Sequence, residues 1–111
     1  MEEINWNDFK RIEIRAGTIL EALPFPQAKK PAYKVLIDFG PLGHKWSSAQ
    51  ITAHYETSDL IGRQVVAVIN FPVKQIANFF SECLVLGVYD ENQQVILLQA
   101  ERAVSNGARI G

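Results

Sequence analysis

The chain has 111 residues, of which 48% are hydrophobic and 21% are charged, and its formal net charge is -1. This length predicts a single domain, residues 1–111, and no apolar run approaches the roughly 20 residues that a membrane helix needs, so we expect no membrane insertion. The acidic start MEEINWNDF is unlike a secretory signal, and the single cysteine excludes an internal disulfide, which together favour a cytoplasmic location.

The first part of the chain predicts a short helical turn followed by a long strand. Asn5 is a good N-cap for a turn that runs through Asp8. From Ile12 to Ala22 apolar and polar residues alternate, which indicates a half-buried strand. Gly17 lies in its middle, where a glycine marks a bend, a bulge or a close approach. A strand of this length is typical of a barrel in which one long, coiled strand belongs to both sides of the barrel.

The middle of the chain predicts a hairpin after a loop that three prolines stiffen. Its strands are YKVLIDF, residues 33–39, and KWSSAQIT, residues 45–52, joined by the turn GPLGHK. The second strand carries Ser47, Ser48 and Gln50 where a strand should bury itself. Either this is an ordinary strand end or it is a surface that meets a ligand.

The last part of the chain predicts further strands. Thr57 is a good N-cap for a one-turn helix that ends at Gly62. The run RQVVAVIN is β-branched and apolar, which indicates a strand buried on both faces. CLVLGVY and QVILLQA predict two more strands. Five or six strands without βαβ alternation indicate a small all-β domain, and a five-stranded barrel removes its sheet edges.

No pattern of residues indicates catalysis, a metal or a cofactor. His44 and His54 have no cysteine or acid at ligand spacing, so we expect surface histidines. Cys83 begins a predicted strand, and without an identifiable base beside it a buried, inert thiol is the favoured interpretation. We therefore predict that the protein is not an enzyme.

Two segments indicate a binding surface instead. From residue 22 to residue 55 there are four lysines against Asp38 alone, a local charge of +3, although taken alone this feature favours solvated loop lysines. Residues 70–82, NFPVKQIANFFSE, form the longest segment outside the predicted strands and helical turns. A loop is rarely so aromatic unless part of it packs inward or binds something. We expect Phe71 in the barrel mouth, and Phe79 or Phe80 exposed beside the serine stretch.

Five blocks of this sequence resemble the tRNA-binding-domain OB-fold family. They are IEIRAGTILEA, KVLIDFG, SSAQIT, DLIGRQVVAVINFP and SECLVLGV, and the resemblance extends from Phe9 to Gly111. SSAQIT and INFP are typical of the CsaA-type branch, the bacterial export-related chaperones. The resemblance implies an all-β, five-stranded OB-fold Greek-key barrel with short helical turns and added terminal segments. It also implies a homodimer that associates through those terminal segments.

The resemblance also implies where a ligand binds. OB-folds use the face of strands 2 and 3, and KWSSAQIT falls on the third strand, where its hydroxyls and amide can meet a peptide or ribose-phosphate backbone. The polar positions of the family's binding face correspond here to Arg15, Lys34, Ser47, Ser48 and Gln50. The family's long loop corresponds to Asn70, Phe71 and Lys74, and the SE before its fifth strand corresponds to Ser81 and Glu82. The basic region adds Lys45, and the aromatic segment adds Phe79 and Phe80.

Two departures from the family pattern bear on function. Asn78 followed by Phe79 replaces a glycine-containing IAGF, and Phe80 stands where relatives often have a basic residue. The segment is therefore more apolar, which favours a chaperone that binds unfolded preproteins, with the export motor as a further candidate partner. The alternative is a structure-specific tRNA-binding protein, with phosphate contacts from Lys29, Lys30, Lys34, Lys45 and Arg15. A third interpretation is a structural module that docks to a larger partner.

Overall fold

A computed structural model describes residues 1–111, which form nine strands and two short α-helices. In chain order these are α1 (Trp6–Lys10), β1 (Ile14–Pro24), β2 (Tyr33–Asp38), a 3-10 turn (Gly40–Leu42), β3 (His44–Ala49), α2 (Thr57–Leu60), β4 (Gln64–Val68), β5 (Lys74–Ile76), β6 (Phe79–Ser81), β7 (Leu84–Val85), β8 (Gly87–Tyr89) and β9 (Val95–Leu97). No helix is long and apolar enough to cross a membrane.

The central feature is an antiparallel sheet with the strand order β3-β2-β1-β4-β7. The first half of β1 pairs with β4 and its second half pairs with β2, with a register shift between Ile19 and Glu21. At Gly17 an added Cβ would lie 2.6 Å from the Ile37 side chain and 2.9 Å from the Asp38 carbonyl oxygen. The prediction of a long strand that serves both sides, with a close approach at its glycine, is confirmed.

The two ends of the sheet meet and nearly close a barrel. Glu82 donates its N–H to the Trp46 carbonyl at 2.8 Å, and the Ser47 hydroxyl donates to the Cys83 carbonyl at 2.7 Å. These bonds bring the start of β7 against β3. The predicted five-stranded OB-fold barrel is confirmed, although the small hairpins β5–β6 and β8–β9 raise the number of strands.

The core lies inside this barrel. Its fully buried large side chains are Ile19, Val35, Ile37, Phe39, Leu60 and Val65. All four residues from Val65 to Val68 are buried, which confirms that β4 is covered on both faces. Apolar alternation on β1 and β2 and the continuous apolar run of β4 thus fill one interior.

Several local predictions hold and three are wrong. Asn5 caps α1, with the Asn5 side chain accepting from the Asp8 N–H. The N-cap of α2 is Glu56 rather than Thr57, because the Asp59 carboxylate accepts the Glu56 N–H at 2.9 Å. Strand β3 ends at Ala49, before the predicted end. Residues 70–82 are not a loop throughout, since β5 and β6 form a hairpin that turns at Ala77 with a φ of 53°.

Candidate ligand-binding face

Strand β3 presents its residues alternately to the core and to the outside. Trp46 and Ser48 point outwards, whereas Ser47 and Ala49 are buried. Ser47 is fully buried and its hydroxyl bonds to the carbonyl of Cys83, so it cannot meet a ligand in this conformation. The expected contact from Ser47 is therefore replaced by a contact within the core.

Ser48 and Gln50 form the common floor of three neighbouring cavities. The first, about 600 Å³, extends towards the β8–β9 hairpin and Tyr89. The second, about 620 Å³, extends towards Lys29 and Lys30. The third, about 270 Å³, is flanked by apolar groups, chiefly Phe71, Pro72, Ile76 and Leu84. The structure thus brings Ser48, Gln50, Phe71 and Lys74 together, as the resemblance implies.

The second of these cavities is cationic, and we call its lining the lysine side. It consists of Lys29, Lys30, Lys74, Ser48, Gln50 and the residues of β5. The three lysines are exposed, and none of them forms an ion pair with an acidic side chain. Their charge is therefore available to an anionic ligand.

A separate groove of about 500 Å³ borders β6, and we call its lining the aromatic side. It consists of Leu23, Lys34, Trp46, Asn78, Phe79, Phe80 and Glu82. The Phe79 ring packs edge-on against Phe25 and Trp46, with centroids 5.3 Å and 5.9 Å apart. The Lys34 ammonium lies 4.8 Å from the Phe25 centroid and 5.5 Å from that of Phe79. Lys34 is thus held by rings rather than by an acid.

One of Phe79 and Phe80 is exposed, as expected, but neither Phe80 nor Phe71 lies where the sequence predicted. Phe79 is the packed ring, and Phe80 is 56% exposed on the aromatic side rather than beside Ser48 and Gln50. Phe71 is 55% exposed beside those two residues instead of sealing the barrel mouth. Phe79 and Phe80 are consecutive residues of β6 and therefore point in opposite directions, Phe79 inwards onto Phe25 and Trp46 and Phe80 outwards.

Three of the expected contact residues satisfy backbone groups of the protein itself. Ser81 Oγ accepts the N–H of Ser48 at 3.0 Å, and Glu82 Oε1 accepts the N–H of Trp46 at 2.9 Å. Asn70 accepts from the Glu13 N–H and donates to the Arg11 carbonyl, which ties the loop before β5 to the N-terminal segment. In this structure these side chains position the surface.

Arg15 and Lys45 lie away from Ser48 and Gln50. Arg15 donates to the Gly107 carbonyl at 3.0 Å and pairs with Glu13 at 3.2 Å, where the C-terminal segment crosses β1. Lys45 is half-buried on β3 and its charge acts on Cys83. Neither residue lines the lysine side. Arg15 is held by the Gly107 carbonyl and by Glu13, and Lys45 is half-buried on β3.

The titratable groups near the barrel have mainly structural partners. Burial raises the pKa of the Cys83 thiol to about 11, against the opposing effects of the Ser47 hydrogen bond and the Lys45 charge. The backbone hydrogen bond from Gln94, followed by the side-chain bond from His54 at 2.6 Å, lowers the pKa of Asp90. The predictions of a buried thiol and of exposed histidines are confirmed.

A match to a family model, together with the observed fold, identifies the family of this chain. Residues 14–109 match the family model "Putative tRNA binding domain". The chain belongs to the tRNA-binding-domain family, in its CsaA-type branch, which confirms the resemblance read from the sequence blocks.

Solved structures and curated sequences resemble the chain to different extents. The chaperone CsaA of Bacillus anthracis str. Ames is 48% identical with a TM-score of 0.94, over 99% of this chain and 100% of that one. The CsaA chaperone of Picrophilus torridus is also 48% identical, with a TM-score of 0.92, over 98% and 100%. The methionine–tRNA ligase of Methanocaldococcus jannaschii is 27% identical over 99% of this chain, which spans only 17% of that ligase.

Sequence reasoning missed Trp46, Leu23 and Ile76 as members of the surface. A signal for Trp46 was present, because the apolar phase of Ala49 and Ile51 turns residues 46, 48 and 50 outwards. Leu23 and Ile76 gave no comparable signal, since their exposure depends on where the β5–β6 hairpin folds over the sheet.

Proposed function

We propose that the chain is a CsaA-like, export-related chaperone that binds unfolded preproteins on the outer face of its OB-fold. The observation that carries this proposal is the pair of exposed phenylalanines, Phe71 and Phe80, on either side of the hydrogen-bonding strand β3. The likeness to two CsaA chaperones at 48% identity supports it. No catalytic step forms part of this function.

The surface has the two properties that recognition of an unfolded chain needs. Burying one phenylalanine ring against a client contributes about 1.5–3 kcal/mol. Ser48 and Gln50 supply donors and acceptors for a client backbone, worth about 0.5–1.5 kcal/mol each after exchange with water. Sequence selectivity is weak in such an arrangement, because rings and backbone bonds do not depend on one client sequence.

The direct test is to titrate the protein with an unfolded preprotein and with its folded mature form, while following tryptophan fluorescence. Trp46 lines the aromatic side, so client binding should change its emission. A Trp6→Phe variant removes the other tryptophan and serves as the matched control once light scattering shows that its mass equals that of the parent. We expect saturable binding of the unfolded form alone, with a salt dependence weaker than that of tRNA. Equal binding of both forms, or of neither, would contradict the proposal.

The proposal includes a homodimer in the cytoplasm. Ile4 and Trp6 are more than two-thirds exposed near one end of the chain, and a twin could cover them. A single buried cysteine suits a reducing compartment. Light scattering at micromolar concentration should give twice the mass of the chain, and the export motor should be retained on the immobilised dimer. A monomeric mass would refute this assembly.

tRNA binding is the second candidate function. It is supported by the lysine side, whose three cations have no acidic partner, and by the family match. RNA affinity of this kind depends on phosphate neutralisation and falls steeply with salt. Titration with bulk tRNA at low and moderate salt separates it from client binding, since exposed rings respond little to salt. Binding that is indifferent to salt would exclude this electrostatic mechanism.

A further inference from the structure

Strand β3 is the edge of the five-stranded sheet, and its outer edge is only partly covered. Trp46 uses both backbone groups, donating to the Glu82 carboxylate and accepting from the Glu82 N–H. Ser48 donates its N–H to Ser81 Oγ. These three bonds cover the edge up to the Ser48 amide. Beyond it the chain turns from Cys83 into β7, which pairs with β4 instead.

The remainder of this edge has no partner. The alternation that turns the Ser48 N–H outwards also turns its carbonyl outwards, and no donor reaches that oxygen. The Gln50 N–H has no acceptor either. Ser48 and Gln50 line all three cavities and Gln50 is exposed, so a ligand that enters these cavities meets this stretch of the edge. An open acceptor near the end of an edge strand, with an open donor one residue beyond the strand, is a template for a further strand.

We infer that an extended peptide segment adds to β3 as a strand at Ser48–Gln50, an inference that rests on the proposed chaperone function. A peptide N–H donates to the Ser48 carbonyl, and a peptide carbonyl accepts from the Gln50 N–H. Main-chain hydrogen bonds give affinity for any client segment that can adopt an extended conformation. The neighbouring cavities select the side chains at alternate positions of that segment. Unfolded chains provide such segments and folded proteins do not.

The surroundings define the chemistry of the segment. Because side chains alternate along a strand, one can enter the 270 Å³ cavity beside Phe71, Ile76 and Leu84, which takes an aliphatic group. Lys30 and Lys74 flank the same stretch without acidic partners, and they complement glutamate or aspartate in the segment. The occupant is therefore a short β-forming sequence with an aliphatic centre and acidic flanks.

The test uses a capped heptapeptide that alternates valine and threonine with glutamate at both ends. Hydrogen exchange of the Gln50 amide is followed by NMR on the unmodified protein. The unpaired amide should exchange fast in the free protein and about tenfold or more slowly with saturating peptide. Binding through side chains alone would leave this rate unchanged, which would overturn the inference.

A pair of variants tests the same bond by affinity. Gln50→Pro removes the N–H and places a ring at the edge, whereas Gln50→Ala keeps the N–H and removes only the side-chain amide. We expect Gln50→Pro to weaken heptapeptide binding about tenfold and Gln50→Ala to weaken it less than about threefold. Equal effects would contradict strand addition. Should Gln50→Pro unfold, the exchange experiment on the unmodified protein decides.

A parallel titration with an unfolded preprotein separates the two claims. If it binds while the heptapeptide does not, or while the Gln50 amide stays unprotected, strand addition is wrong and the chaperone proposal stands. If neither binds, both fall. If bulk tRNA alone protects the Gln50 amide, the edge belongs to a nucleic-acid site and the inference is overturned.

Discussion

Strand β5 borders a cavity lined by lysines, whereas strand β6, two residues later in the chain, borders a groove lined by aromatic rings. The lysine side has exposed cations without acidic partners. On the aromatic side the one nearby lysine, Lys34, rests on the rings of Phe25 and Phe79. A single short hairpin therefore separates a surface suited to anions from one suited to apolar groups.

This difference means that ring burial on the aromatic side and phosphate contacts on the lysine side use different atoms, whereas Ser48 and Gln50 can serve either ligand. Phosphate contacts depend on charge and salt, whereas ring burial depends on apolar area. Substitutions on one side should therefore leave the other ligand nearly unaffected, if the two sides act separately. The effects below run from the largest expected to the smallest.

The largest effect is expected from removing the charge of the lysine side. If tRNA binds there, the triple variant Lys29→Gln, Lys30→Gln, Lys74→Gln should lose about three decades of affinity, at about 1.5 kcal/mol for each charged contact. The salt slope should fall by about three. Filter binding across a salt series measures both. Lys34→Gln is the matched control, and a slope that the triple variant leaves unchanged would remove the lysine side from RNA binding.

The next effect concerns stability on the aromatic side. Phe79→Ala should lower the free energy of unfolding by about 2–3 kcal/mol, because it removes a ring packed against Phe25 and Trp46. Phe80→Ala should cost less than about 0.5 kcal/mol, since Phe80 is mostly exposed. Urea unfolding of both variants gives the comparison. Equal losses would mean that the hairpin is not anchored through Phe79.

Substitution of Phe80 also tests which surface binds an unfolded client. Phe80→Ser should weaken binding of an unfolded preprotein by about 1.5–3 kcal/mol, one to two decades, and should leave tRNA affinity nearly unchanged. Ser48→Ala should cost about 0.5–1.5 kcal/mol. Phe71→Ser tests whether the 270 Å³ cavity beside Ser48 and Gln50 contributes a ring as well. If Phe80→Ser binds the preprotein as well as the parent, the aromatic side is not the client site.

The smallest effect concerns Cys83, which lines the cavity of about 270 Å³ beside Ser48 and Gln50. The folded protein holds the pKa of Cys83 at about 11, above the ordinary value of 9.0. Its contribution to stability is therefore complete below pH 9 and is lost as the pH rises towards 11. Between pH 8 and pH 10 the free energy of unfolding should fall by about 1 kcal/mol more than in Cys83→Ala. Parallel pH dependences would show that the thiol is not desolvated.

The sequence was sufficient to predict those strands in which all side chains on one face have the same surroundings. β1 and β4 could be predicted, because long alternation or a continuous β-branched run leaves few other structures. The inward direction of Ser47 could also have been read, since Ala49 and Ile51 have the same phase. The two adjacent serines made this direction hard to recognise, because the hydroxyl of either one can bond to a ligand or to a backbone group of the protein.

The β5–β6 hairpin could not be predicted from local signals. Each strand has three residues, and the turn lacks the Asn-Gly or Asp-Gly pair that indicates a hairpin. What holds it is the packing of Phe79 on Phe25, a contact between residues far apart in sequence. The placement of Arg15 has the same origin, because its partner Gly107 lies near the other end of the chain.

The contact of β1 with residues 106–110 has a consequence for the order of folding. Ala16 accepts the Gly107 N–H and donates to the Ala108 carbonyl, and Ile14 accepts the Ile110 N–H. Strand β1 thus keeps open backbone groups until residues 106–110, far later in the chain, have also left the ribosome. Long-range pairing of this kind slows folding and leaves a nascent strand exposed. Newly made copies of this chain therefore pass through an interval in which they themselves resemble an unfolded client.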